Sequence, residues 1–108
     1  MGAENISAGT RRRRWRALTD HQRTQALRLT LNALSQAAAG SAAGVARVLK
    51  DAGDVSPALE EHVAWAAGYI APTLRLVGDE KGYADRYITE GVALRRNATD
   101  PTQEGLFQ

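Results

Sequence analysis

A chain of 108 residues with no cysteine suits one domain that buries roughly two-thirds of its unfolded surface. It excludes disulfide staples, thiolate metal sites and thiol catalysis, and no apolar run approaches the ~20 residues that cross a bilayer. The net charge of +2 conceals an asymmetry: residues 11–50 carry nine basic side chains against Asp20 alone, while residues 51–108 carry five basic against ten acidic.

Such a split points to an anionic partner for the first half, or to attraction between the halves within or between chains. Twelve of the 14 basic residues are arginine, which favours bidentate contacts with phosphate or carboxylate. The run Arg11–Arg14 could open a twin-arginine export signal, but Arg16, Asp20, His21 and Arg23 stand where such a signal is apolar. The expectation is therefore a cytoplasmic protein without a membrane partner.

Residues 1–18 read as a flexible segment. The first ten are small and polar without periodicity, and Arg11, Arg12, Arg13, Arg14 and Arg16 then surround Trp15. Adjacent like charges oppose ordering, so a disordered basic arm is expected, which a polyanion would neutralise. Trp15 can stack on a base there. Alternatively Trp15 and Leu18 dock on the helical body and leave the arginines solvated.

Thr19 and Gln22 form a capping-box pattern that starts a helix reaching about Ala39. Leu27, Leu31, Leu34 and Ala38 are its expected seam, with Ala26, Thr30, Ala33 and Ala37 beside it. Arg23 and Arg28 lie outside that seam and would join the arm in gripping phosphate, and Leu29 hints at a second contact surface. Gly40-Ser41 reads as a break and Gly53 as the stop of a second helix, although one helix across 20–52 stays open because each glycine costs only ~1 kcal/mol. GSAAGV lacks the Gly and Lys that a phosphate loop would place at positions 45 and 46.

Ser56 and Pro57 open the helix around which the domain is expected to pack, running to Val77. Leu59, Val63, Ala66, Ile70, Leu74 and Val77 share one sector. His62, Trp65, Tyr69 and Leu76 fill the next, so packing on two sides is expected. Pro72 should kink this helix near Ala71, and Ala64 and Gly68 should admit a close neighbour. His62 reads as packed or half-exposed, since it lacks a carboxylate at i+3 or i+4 to orient it as a base. A DNA-reading helix-turn-helix over 44–65 is disfavoured, because its second helix would present Glu60 and Glu61 to phosphate.

Gly78 ends that helix, and Asp79 caps the last one, which runs to about Asn97 with Tyr83, Tyr87, Ile88, Val92 and Leu94 facing inward. Ala84 and Gly91 mark tight contacts, and Arg95 and Arg96 suit the helix C-terminus. The sum is an all-α fold, a small four-helix bundle over 19–97, or three helices if 20–52 is continuous. Residues 98–108 read as a flexible C-terminal tail.

Within that tail, Gln103-Glu104-Gly105-Leu106-Phe107 resembles the Q-x-x-L-F peptide with which bacterial polymerases and repair proteins hold the sliding clamp. The resemblance implies that Leu106 and Phe107 enter an apolar pocket of the clamp while Gln103 makes polar contacts; the alternatives are that Leu106 and Phe107 fold back on the helical body or that the tail has no such role. Glu104 departs from the commonest form, which has an uncharged residue there. The likeness covers these five residues and carries nothing about the helical body.

No nucleophile–base set, metal-spaced cluster or cofactor fingerprint is present, so the chain reads as non-catalytic, with no cofactor. The expected role is a small nucleic-acid-associated accessory protein that contacts backbone phosphates without sequence readout. The competing reading is a helical interaction or oligomerisation module, of phage, plasmid or regulatory type, that has no nucleic-acid role.

Overall fold

The computed structural model of the chain describes residues 7–77, 79 and 81–98, the side chains of 75–77 excepted. Five α-helices and one 3-10 helix account for most of them: α1 (Ala8–Ala17), α2 (Asp20–Ala38), α3 (Ala42–Val55), α4 (Pro57–Ile70), the 3-10 helix (Ala71–Val77) and α5 (Tyr83–Ala98). No strand occurs among the described residues, and the fold is all-α.

The helix boundaries follow local chemistry. Thr19 and Gln22 form the reciprocal capping box, with the Gln22 backbone N–H donating to Thr19 Oγ1 at 3.1 Å and the Thr19 N–H donating to Gln22 Oε1 at 3.0 Å. Two helices, not one, cover 20–52. Gly40 takes φ +79°, a left-handed conformation that side chains disfavour. The N–H groups of Gly40 and Ser41 then donate back to the carbonyls of Ala37 and Gln36, a Schellman closure, and Ser41 Oγ caps the start of α3 at the Gly44 N–H. Gly53 does not stop α3, which continues to Val55. Ser56 precedes α4 as expected and Pro57 opens it, but the Ser56 hydroxyl makes no capping bond.

Past Ile70 the chain tightens into the 3-10 helix, a consequence of Pro72 lacking the N–H that an α-helix would bond to Gly68. Asp79 is the cap expected of it, at longer reach. Its two carboxylate oxygens accept from the N–H groups of Tyr83 and Ala84 at 3.0 and 2.9 Å.

Helix α3 is packed against α2, α4 and α5, so the middle of the domain is α3 and not the segment that begins at Ser56. Among the described residues, seven of the fourteen buried apolar side chains are alanine, and short side chains let helix axes approach. Buried positions on α2 are Ala26, Thr30, Ala33, Leu34 and Ala37, so its seam is turned away from Leu27, Leu31 and Ala38, which are exposed. On α4 the buried line is Leu59, Val63 and Ala67, continuing to Ala71. It replaces the expected Ala66 and Ile70. The face with the smaller residues wins because it permits the closer helix contact, and the bulkier Leu27, Leu31, Ile70, Trp65 and Tyr69 are left on the outside.

On α5, Gly91 lies against α3 so closely that a Cβ there would sit 2.4 Å from Val45 Cβ. Gly68 has no such neighbour, contrary to the expected close approach beside Ala64. Ile88 and Ala84 are buried as expected, Tyr87 and Val92 are partly buried, and Tyr83 and Leu94, expected inside, are 38% and 48% exposed.

The Arg-rich stretch is helix α1 and not a disordered arm. Ser7 Oγ caps it at the Thr10 N–H, and the helix packs on α4. Neighbouring groups offset the repulsion among its guanidinium groups: Arg14 forms an ion pair with Glu61, Arg11 lies over the Trp65 ring, and Arg13 donates to Thr10 Oγ1. Trp15 and Leu18 do dock on the body, and Leu18 is buried in the core.

Candidate nucleic-acid interface

Docking of α1 builds a cleft of about 520 Å³ lined by Ala8, Arg11, Arg12 and Trp15 of α1, Leu27 of α2, and His62, Trp65 and Tyr69 of α4. Residues 62, 65 and 69 are one turn apart on one face of α4, and α1 adds Trp15 at the end of their row. The four rings run as a ladder. Trp15 stacks on His62 with centroids 4.3 Å apart and planes inclined by 23°. His62 to Trp65 is 5.7 Å and Trp65 to Tyr69 is 5.6 Å.

Guanidinium groups flank the ladder. The Arg11 guanidinium carbon lies 4.9 Å from the Trp65 ring centroid and that of Arg23 lies 6.0 Å from the Trp15 ring, both within cation–π range. Burial, and then the nearby charge of Arg11, hold the His62 imidazole below its ordinary value of 6.5, so it is neutral at pH 7. Glu60 and Glu61, read as phosphate-repelling, are each ion-paired, with Arg95 and Arg14 respectively.

The structure gathers Arg11, Arg12 and Trp15 at the cleft. Arg12, Arg13 and Arg16 are exposed on α1, whereas Arg14 is engaged with Glu61. Arg23 does not stand outward. Its Nη1 donates to the carbonyls of Leu18 at 2.8 Å and Trp15 at 3.2 Å, tying down the C-terminal end of α1, and its Nη2 meets Asp20. Arg28 is exposed on α2 and is not among the residues lining the cleft. Gln103, Leu106 and Phe107 lie outside the described residues.

Five cleft residues carry no site assignment in the sequence: Ala8, Leu27, His62, Trp65 and Tyr69. Their signal was present as the aromatic sector 62/65/69, which amphipathicity alone assigns to packing. Only the docking of a polycationic helix beside those rings shows that most of the Tyr69 side chain stays in water, at 72% exposure.

Compared with protein-family models, with curated proteins and with solved structures, the chain matches none. No helix among the described residues is long and apolar enough to cross a membrane.

Proposed function

We propose that the protein is a non-catalytic nucleic-acid-associated accessory protein that contacts backbone phosphates through α1. The observation that carries this reading is the exposure of Arg12, Arg13 and Arg16 on a helix whose remaining arginines are already held by Glu61 and the aromatic rings. Among the described residues Arg12, Arg13 and Arg16 form no ion pair with an acid, and a phosphate backbone would supply anions to them. Contacts of this kind give affinity without sequence readout.

The test is a titration of DNA at two salt concentrations with the wild type and the Arg12→Ala/Arg13→Ala/Arg16→Ala variant. Loss of three phosphate contacts should lower the slope of log K against log salt by about 2 to 3. An unchanged slope and affinity would remove α1 from the interface. The tail is proposed to tether the protein to a sliding clamp through Gln103, Leu106 and Phe107. A Phe107→Ala protein captured by purified clamp as well as the wild type would end that proposal.

A second reading draws on Leu27 and Leu31, which are one turn apart on α2 and 59% and 66% exposed. Together with Trp65 and Tyr69 they offer an apolar face to a protein partner or a second copy. Light scattering of Leu31→Ser separates the two readings. A wild-type dimer that this variant dissociates, and that ignores DNA, favours the interaction module.

A further inference from the structure

Trp65 and Tyr69, 38% and 72% exposed, stand outside the buried core, whose buried side chains are alanine, leucine, valine and isoleucine. Large aromatic surface left in water beside cations is unusual for a purely structural element. We propose that the cleft between α1, α2 and α4 takes an unstacked nucleobase, so that the protein binds single-stranded nucleic acid in preference to duplex. This assignment rests on the phosphate-binding reading of α1 and names the form of nucleic acid that reading takes.

Three features of the cleft carry it. Its volume of about 520 Å³ is in the range of ligand pockets. One wall is a row of aromatic rings: Trp15 and His62 stack, and the row continues, with planes tilted by 51° and 30°, through Trp65 to the open Tyr69. A flat heteroaromatic ring extends such a row at any base identity, because every base has a π face. The rim is cationic through Arg11 and Arg12, with Arg13 and Arg16 on the same helix.

That combination discriminates among occupants. An apolar peptide would desolvate the rim guanidinium groups and offer no anion in return. A nucleotide covers the rings with its base and meets the guanidinium groups with its phosphate. Duplex DNA keeps its bases stacked on one another and presents only their edges and the backbone, leaving Trp65 and Tyr69 uncovered.

The experiment is a fluorescence titration of the full chain with an oligothymidylate, an oligouridylate and a duplex of the same length, at low and moderate salt. At least one single strand should bind more tightly than the duplex and quench tryptophan emission. Tyr69→Ala should weaken single-strand binding roughly tenfold with the salt slope unchanged, and Tyr69→Phe should restore it. The side chain is mostly exposed, so both variants keep the fold, which far-UV circular dichroism checks. Equal affinity for duplex and single strands, or a Tyr69→Ala protein that binds single strands like the wild type, would overturn the base site while leaving phosphate binding by α1 intact. Absence of binding to every oligonucleotide at low salt would overturn both. Self-association abolished by Tyr69→Ala, without oligonucleotide binding, would give the cleft to a second copy and overturn the base site.

Discussion

The imidazole of His62 stacks on the indole of Trp15, centroids 4.3 Å apart, and this stack joins α1 to α4. Arg11 adds positive charge to one side of the imidazole, and Arg14 and Glu61 line the same small recess. Protonating His62 would therefore place a cation in a half-buried site next to guanidinium groups.

Stability should accordingly depend on pH with a definite sign. The folded protein holds His62 below 6.5 through burial first and Arg11 second, so the unfolded chain takes up the proton at the higher pH. The His62 contribution is fully present above the unfolded value and is lost as pH falls through 6.5 toward the lowered folded value. Urea unfolding should show a higher midpoint at about pH 7.5 than at about pH 5.5. His62→Phe keeps a ring against Trp15 and cannot titrate, and its midpoints should differ less. Equal pH dependence in the two proteins would count against this assignment.

Gly91 and Gly68 make opposite predictions. A methyl at Gly91 would meet Val45 Cβ at 2.4 Å and the Ala42 carbonyl oxygen at 3.0 Å, whereas one at Gly68 would meet nothing within 4 Å. Gly91→Ala should destabilise by roughly 1–3 kcal/mol through overpacking of α5 on α3. Gly68→Ala should be neutral or stabilise by up to about 1 kcal/mol, through helix propensity alone. Denaturant midpoints of the two variants, measured side by side, decide the matter.

Arg95 near the end of α5 is ion-paired with Glu60 in the first turn of α4, the side chains being 20% and 25% exposed. Gly53 lies directly beneath, since a Cβ there would approach both charged groups at 3.0 Å. A double-mutant cycle of Glu60→Ala and Arg95→Ala should return a coupling of about 1–2 kcal/mol, above the range of solvated surface pairs and below that of fully buried ones. A coupling indistinguishable from zero at low salt would make the pair incidental.

Arg23 predicts local rather than global loss. Its bonds to the Trp15 and Leu18 carbonyls hold the end of α1, while α2 to α5 have their own core. Arg23→Ala should raise hydrogen exchange of the α1 amides by about tenfold or more, the cost of charge-assisted bonds, and leave α3 protected. Uniformly faster exchange would mean that α1 is part of the cooperative unit.

Most caps and breaks were legible residue by residue because their causes are local, the exceptions being the stop expected at Gly53 and the side-chain cap expected of Ser56. Thr19 with Gln22, Ser41 after Gly40, Pro57 after Ser56, and Asp79 each act within five residues of chain. Pro72 marked the place of the disturbance, but the expected kinked α-helix to Val77 is instead an α-helix that ends at Ile70 and a 3-10 helix beyond it. Leu59, Val63, Ile88 and the approach at Gly91 were also placed as the structure has them.

The rotation of the α2 and α4 seams was not readable. Leu27 and Ile70 are more apolar than Ala37 and Ala67, and a ranking by hydrophobicity puts them inside. Only the mutual fit of three helices shows that alanine faces come closer together and bury more contact between them. Helix α1 was hidden for a related reason. Five arginines in six positions oppose order until Glu61 and the rings of Trp65 and His62, some fifty residues away, are brought alongside. Neighbouring residues thus decided where α2, α3, α4 and α5 begin, and which half of the chain carries positive charge. Which faces are covered, and that a cationic helix lies along an aromatic row, was decided by helix-to-helix packing, because those energies belong to pairs of residues distant in the chain.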